Sequence, residues 1–199
     1  MPDWYNEAFQ RNFVANSIKP NDDDYIVLSD VDEILNFDKW DKIKSQVDKY
    51  GIVTCPLYFT MFYFNLFVDN WGGPENYSYR VFVMSGKYFN SLDVSSDELR
   101  KCGERKKLID KIYCMDEICG FHHSWLGDAN AVLKKMNAYA HSISEHKGSD
   151  IAYIERCIKT GEPFFEGASL SYRPEIKLLP AVERMRSQYP ELFWEENKL

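Results

Sequence analysis

At 199 residues with 45% hydrophobic side chains, the chain is long enough to bury a core, and its composition excludes the disordered and fibrous classes. Lys and Arg number 24 against 31 Asp and Glu, a formal charge of −7, so it lacks the basic stripe that a nucleic-acid partner requires. The five cysteines (Cys55, Cys102, Cys114, Cys119 and Cys157) are odd in number, widely spread and follow no secretory leader, which points to a reducing, cytoplasmic setting. The most apolar stretch, "IVTCPLYFTMFYFNLFV", is interrupted by Thr54, Pro56, Thr60 and Asn65, and suits a buried strand or hairpin instead of a membrane span.

Asp3 is placed to cap a first helix, "WYNEAFQRNFVANSI", in which Trp4, Phe9, Phe13 and Ile18 recur at roughly helical spacing. "KPNDDD" breaks that helix, and Tyr25 to Ser29 read as a buried strand. Asn36 then caps a second helix, with Trp40, Ile43, Val47 and Tyr50 on one face and Gly51 at its end. Residues 52 to 68 and 79 to 84 read as strands separated by the turn-rich "NWGGPENYS". The run "SSDELRKCGERKKLIDK" alternates in charge without a continuous apolar stripe and reads as a solvated helix or loop with no function of its own. Helices near 129 to 140 (Val132, Leu133, Met136, Tyr139) and from Ser149 to Thr160 (Ile151, Ile154, Ile158, stopped by Gly161) complete the chain. With no repeat and no linker, residues 1–199 read as a single α/β domain, its helices flanking a mixed sheet.

The chemistry concentrates where the first strand ends. "YIVLSDVDEIL" places Asp30, Asp32 and Glu33 within four positions. On an extended strand Asp30 and Asp32 point to one side while Val31 packs on the other. Ionised groups about 4 Å apart repel by about 4 kcal/mol at an effective dielectric near 20, so a cation should compensate them. Mg²⁺ or Mn²⁺ held by one or two carboxylates plus substrate phosphates is the simplest compensation. In open α/β sheets ligands also gather beyond the carboxyl ends of strands. The plainer alternative is that Asp30 and Asp32 only cap backbone amides of a strand-to-helix turn.

A second cluster is "CGFHHSW", residues 119 to 125, whose histidines offer an imidazole ligand or proton-transfer group, or else pack in an aromatic turn. The C-x4-C spacing of Cys114 and Cys119 with adjacent His122 and His123 suits a tetrahedral zinc site poorly. Trp71 and Trp125 are candidates to stack on sugar rings, with Asn65 a third candidate substrate contact, although burial in a core is the commoner fate of tryptophan. His141 lies near a helix end, where a capping or core role is the simpler one.

Taken together these pieces resemble glycosyltransferase family 17, the family of the bisecting β-1,4-N-acetylglucosaminyltransferase and its bacterial and viral relatives. "WYNEAFQRN" is similar to the family's helix carrying W, E and Q-R, and "DDDYIVLSDVDEI" to its strand and D-x-D-E-I signature. "CGFHHSW" resembles its A-G-W-H-x-S-W motif with Phe121 replacing tryptophan, and "SDIAYIERCIKTGEPFFEG" its late I-x-x-x-I-x-x-G-x-x-x-F-x-G segment. The resemblance runs from Trp4 to Gly167, its four motifs in order. It implies a GT-A type fold and inverting transfer of a sugar, such as N-acetylglucosamine, from a nucleotide donor, UDP-linked by expectation, to a glycan acceptor. Carried over by position, it implies that Asp30 lies near the donor ribose or the metal, Asp32 ligands Mn²⁺ (or Mg²⁺), and His122 joins the metal beside the diphosphate. Arg11 is expected to touch the donor or an acidic residue of the site. An inverting enzyme needs a base, for which Glu33, Asp116, Glu117 and Glu145 are available; Glu33 is preferred because it lies inside a matched motif. Family members carry a first strand and loop ahead of the W-x-x-E helix that help to bind the nucleotide base, and the expected fold here lacks that strand. Two other readings compete: a haloacid-dehalogenase-type phosphohydrolase with Asp30 as nucleophile, in which Gly-Thr would usually follow the D-x-D, and a non-catalytic carbohydrate-binding relative.

Overall fold

The computed structural model describes residues 3–70, 77–93, 95–105, 112–138, 150–164 and 166–195. It is a mixed α/β protein, and among the described residues no helix is long and apolar enough to cross a membrane. The described parts of Met1–Tyr58 and Gly72–Phe121 form one compact unit, and those of Phe59–Trp71 and His122–Leu199 a second.

The first unit is built on β1 (Tyr25–Leu28), β2 (Glu33–Leu35), most of β3 (Ile52–Met61), β5 (Ser78–Ser85), β6 (Tyr113–Cys114) and the start of β7 (Gly120–Ser124). β1 runs antiparallel to β5, with Tyr25 opposite Ser85 and Leu28 opposite Phe82. β5 runs antiparallel to β3, with Ile52 opposite Met84 and Cys55 opposite Val81. The register shifts between Cys55 and Leu57, where Pro56 has no N–H to give the ladder. β6 pairs with β3 in parallel, which makes the sheet mixed.

Period-two alternation sorts the strand residues between two cores. Val53, Cys55, Leu57, Val81 and Val83 meet Ile43 and Val47 of α2 (Trp40–Tyr50) on one face. Ile52, Phe82 and Met84 meet Leu99 of α4 (Ser96–Arg105) and Ile112 on the other, with Tyr88 and Phe89 of α3 (Gly86–Asn90) packed alongside. Asn36 caps a single 3₁₀ turn, its side chain accepting from the Asp38 N–H at 3.1 Å, and α2 follows; Gly51 closes α2 at φ +80° as its composition suggests.

Three expectations change here. β1 ends at Leu28, lies at the edge of its ladder and is only partly buried, because it packs one face and pairs with β5 antiparallel. Residues 30–32 are not extended: the Glu33 N–H, at the start of β2, donates to the Asp30 carbonyl at 3.1 Å, closing a turn that leaves Val31 100% exposed instead of packed. The first helix, α1 (Asp3–Ser17), forms where expected but faces the other way, with Phe9 and Phe13 exposed and Arg11 and Asn12 against α4.

In the second unit, Thr60 of β3 pairs with Phe67 of β4 (Leu66–Asp69), which runs antiparallel to β8 (Ser169–Tyr172). The expected long strand region is thus two strands broken at residues 62–65, where Phe62 takes φ +65°. α5 (Ala129–Ala138) and α6 (Ile151–Thr160) bury Val132, Met136, Ile154 and Cys157 against Phe59, Met61 and Val68. Asp150 caps α6, accepting from the Tyr153 N–H at 2.7 Å, and Gly161 ends it in the left-handed region. α7 (Pro180–Met185) follows. Tyr139, His141 and Ser149 lie outside the described residues.

Gly120 marks a close backbone approach in the first unit: a Cβ there would stand 2.1 Å from the Ile34 carbonyl oxygen of β2. Backbone cannot yield as a flexible side chain does, so Gly120→Ala is expected to lower stability by about 1–3 kcal/mol or more. Gly167, at φ +80° with nothing within 4 Å of such a Cβ, should tolerate alanine at about 1–2 kcal/mol from backbone strain alone. Urea unfolding of both variants checks the contrast, and equal midpoints would refute it.

Candidate functional site

The acidic turn is compensated from within the chain. Arg100 of α4 donates from Nη1 to Glu33 Oε2 and from Nη2 to Glu33 Oε1, each at 3.0 Å, and Nη2 also pairs with Asp30 Oδ2. Side-chain exposure is 5% for Arg100 and 0% for Glu33, so this is a buried ion pair with bidentate geometry. Glu33 Oε2 additionally accepts the Asp30 N–H at 2.7 Å, tying the side chain across its own turn. Arg11 of α1 adds a second guanidinium, 3.6 Å from Asp30 Oδ2 and 3.2 Å from both Glu7 and Asp97.

Local sequence explains how α4 comes to this place. Ser95 and Glu98 form a reciprocal capping box: the Glu98 N–H donates to Ser95 Oγ at 3.2 Å, and the Ser95 N–H to Glu98 Oε2 at 2.9 Å. Asn12 of α1 supplies a further cap, its Oδ1 accepting the Asp97 N–H at 3.2 Å. Leu99 anchors the helix in the core, which leaves the next residue, Arg100, directed at the turn. The stretch read as solvated and without function therefore holds the principal partner of the acidic motif.

Asp30 and Glu33 accordingly change role. The charge assigned to a cation by sequence is met, for these two carboxylates, by Arg100 and Arg11. Glu33 makes a poor general base, since both oxygens are held by hydrogen bonds and it has no access to solvent. Asp32 is half-buried within the same turn. Asp116 and Glu117 are no better as bases. Lys42 holds the Asp116 carboxyl below its usual range, and Lys39, with Lys42, does the same to Glu117. Glu145 lies outside the described residues.

The histidine motif divides between the units. Phe121 belongs to the first and packs tilted against Tyr58, ring centroids 5.5 Å apart. In the second unit His122 is buried and stacks on Phe59 at 4.7 Å, while His123 meets Thr60 Oγ1 through Nδ1 at 2.7 Å and Phe64 edge-on at 4.8 Å. Their partners Phe59 and Thr60 are consecutive on β3, so the two rings take opposite sides of the strand, as adjacent residues must. Ser124 accepts from Lys135 Nζ at 3.1 Å.

Two expected sugar contacts are structural. Trp125 is buried at φ +58° against Phe164, with Lys135 Nζ 5.3 Å from its ring centre, so neither ring face is open to a sugar. Asn65 is buried and exchanges two hydrogen bonds with the Trp194 backbone, at 2.9 and 2.7 Å. Trp71 lies outside the described residues. Cys119 is part of the first unit's core and Cys114 donates to the Met115 carbonyl. Among the described residues no group of three or more His, Cys, Asp or Glu side chains is placed to hold a metal ion.

Compared with known proteins, the sequence matches no family model, no curated protein and no solved structure.

Removing Arg100 leaves Glu33 buried without its counter-charge, and breaking one side of a buried pair costs about 3–5 kcal/mol. Arg100→Met should therefore destabilise by that amount, and adding Glu33→Gln should recover a large part of the loss. Chemical denaturation of the two single variants and the double variant checks it; strict additivity would mean that the two groups do not interact.

Carboxyls lowered by lysine partners stabilise the fold above their unfolded pKa and lose that contribution as pH falls through the lower folded value. Lys42→Gln should thus weaken the protein relative to the parent at pH 7, and the difference should shrink at a pH below the ordinary carboxylate range, where Asp116 and Glu117 take up protons. Urea midpoints at the two pH values measure this.

Proposed function

We propose that the chain is a metal-dependent, inverting glycosyltransferase of GT-A type, moving a sugar from a nucleoside-diphosphate donor to a glycan acceptor. Four family-17-like motifs in order support the reading. The observation that carries it is the acidic turn: a partly exposed Asp-Val-Asp whose backbone is fixed by a buried Arg100–Glu33 pair. Buried ion pairs add little net stability, so one spent on holding a surface turn fits a site that needs a fixed first shell.

Mn²⁺ or Mg²⁺ would be held at this turn by one carboxylate, with substrate phosphates and water completing the shell. Asp32 would hold it. Bound there, the cation supplies Lewis-acid neutralisation of the departing diphosphate. Glu33 and Arg100 position Asp32 by fixing the turn, and Arg11 ties α1 to it. The base is none of Glu33, Asp116 and Glu117, whose carboxylates are engaged by arginine or lysine.

The phosphohydrolase reading needs Asp30 as nucleophile, but its Oδ2 pairs with Arg100 and Arg11. Simple carbohydrate binding loses two of its contacts, Trp125 and Asn65, to the core.

Thermal denaturation with UDP-sugars tests the proposal. A ligand at 100 times its Kd stabilises by about 2.7 kcal/mol, or several degrees in Tm for a chain of this size. The expected rise requires Mn²⁺ and the nucleotide sugar together and is absent in Asp32→Asn, whose own Tm is unchanged or slightly higher. Stabilisation that ignores Mn²⁺, or survives Asp32→Asn, overturns the assignment.

A further inference from the structure

The inverted orientation of α1 leaves an apolar face uncovered. Tyr5, Phe9, Phe13 and Val14 are each 62–68% exposed. Tyr5, Phe9 and Phe13 follow at four-residue steps, so they form a stripe along one side of the helix, and Phe9 stacks on Phe13 with centroids 5.9 Å apart. The helix cannot rotate to bury them, since its opposite side is engaged: Arg11 with Asp30 and Asp97, and Asn12 with the first turn of α4. Single exposed apolar residues need no explanation, but a contiguous aromatic stripe marks an interaction surface.

We infer that this stripe joins two copies of the chain through an antiparallel α1–α1 contact about a twofold axis. Two properties select a second copy as the occupant. The first is charge. The exposed positions between Tyr5 and Ile18 carry no charged side chain, Glu7 and Arg11 being turned inward. An identical surface therefore meets it without like-charge repulsion, whereas an anionic lipid surface would call for lysines and arginines flanking the apolar face. The second is size. Three aromatic side chains of about 150–250 Å² each, two-thirds exposed, together with the flanking Gln10 and Val14, offer roughly 500 Å² per copy. Two copies bury about 1,000 Å², the lower bound of specific interfaces, so the dimer is a weak one.

The twofold geometry is self-consistent. With the axis beside Phe9, the two Phe9 rings meet and Tyr5 of each copy lies against Phe13 of the other, because positions 5 and 13 are equidistant from 9. The contact is isologous and closes on itself without forming a filament. It leaves Arg11 and the acidic turn on the inner side of each helix, so it stands independently of the chemistry assigned to that turn.

Sedimentation velocity on the full chain from about 1 to 200 µM tests it. The expected result is a concentration-dependent shift toward twice the 23.4 kDa chain mass. Phe9→Glu and Phe13→Glu, which place like charges at and beside the axis, should stay monomeric with unchanged circular dichroism. Phe9→Leu should retain association and show that the fold tolerates change at this position. A parent monomeric throughout the range overturns the inference, as does a monomer whose α1 stripe is protected from solvent by another part of the same chain. Monomeric binding to vesicles of neutral phosphatidylcholine would also overturn it, assigning the stripe to a lipid surface.

Discussion

The buried guanidinium of Arg100 sets the terms for the first unit, because a charge taken out of water has to be matched where it lies. Glu33 matches it with both carboxylate oxygens, and Asp30 adds a third. With one oxygen of Glu33 also accepting the Asp30 N–H, the turn over residues 30–33 is held by its backbone, its own side chain and a helix distant in sequence. Such a turn has little freedom to rearrange. That is a cost in stability if the turn is mere surface and an advantage if Asp32 has to be presented in one place.

The contacts that α1 makes with this turn and with α4 explain its orientation. A helix whose polar positions are needed to bridge Asp30 and Asp97, and to cap α4, turns those positions inward and its aromatics outward. Amphipathic periodicity alone gives the opposite orientation, since burying Phe9 and Phe13 is the larger single gain. In the second unit the polar motif residues are likewise absorbed by packing. His122 and His123 stack or hydrogen-bond within the core, and Asn65 replaces missing strand partners for the Trp194 backbone.

Elements whose pattern is local were legible in the sequence. The alternation of Val53, Cys55 and Leu57 with Ile52, the i to i+4 step of Ile43 and Val47, and the stops at Gly51 and Gly161 all follow from short-range periodicity and turn chemistry. The acidic motif stood out too, as did its need for a counter-charge. The nature of the counter-charge did not, because Arg100 lies 67 positions from Glu33 in a stretch of alternating charge, and nothing local distinguishes a buried arginine from a solvated one. The available hint was the S-x-x-E capping box at Ser95 and Glu98 followed by Leu99, which marks a real helix start with an inward residue beside the arginine. The turn at Asp30–Glu33 departs from the extended form that period-two alternation suggests because Glu33 bonds back to Asp30 through both its backbone and its side chain, and Arg100 holds that side chain in place.

Asp30 and Glu33 are neutralised inside the chain, and the cation of the proposed function is assigned to Asp32. Anomalous diffraction from crystals grown with Mn²⁺ and a nucleoside diphosphate measures this most directly. The account predicts one manganese peak at the Asp32 carboxylate, with Arg100 still bidentate on Glu33. A manganese ion seated between Asp30 and Glu33, with the Arg100 guanidinium displaced from both, would contradict it.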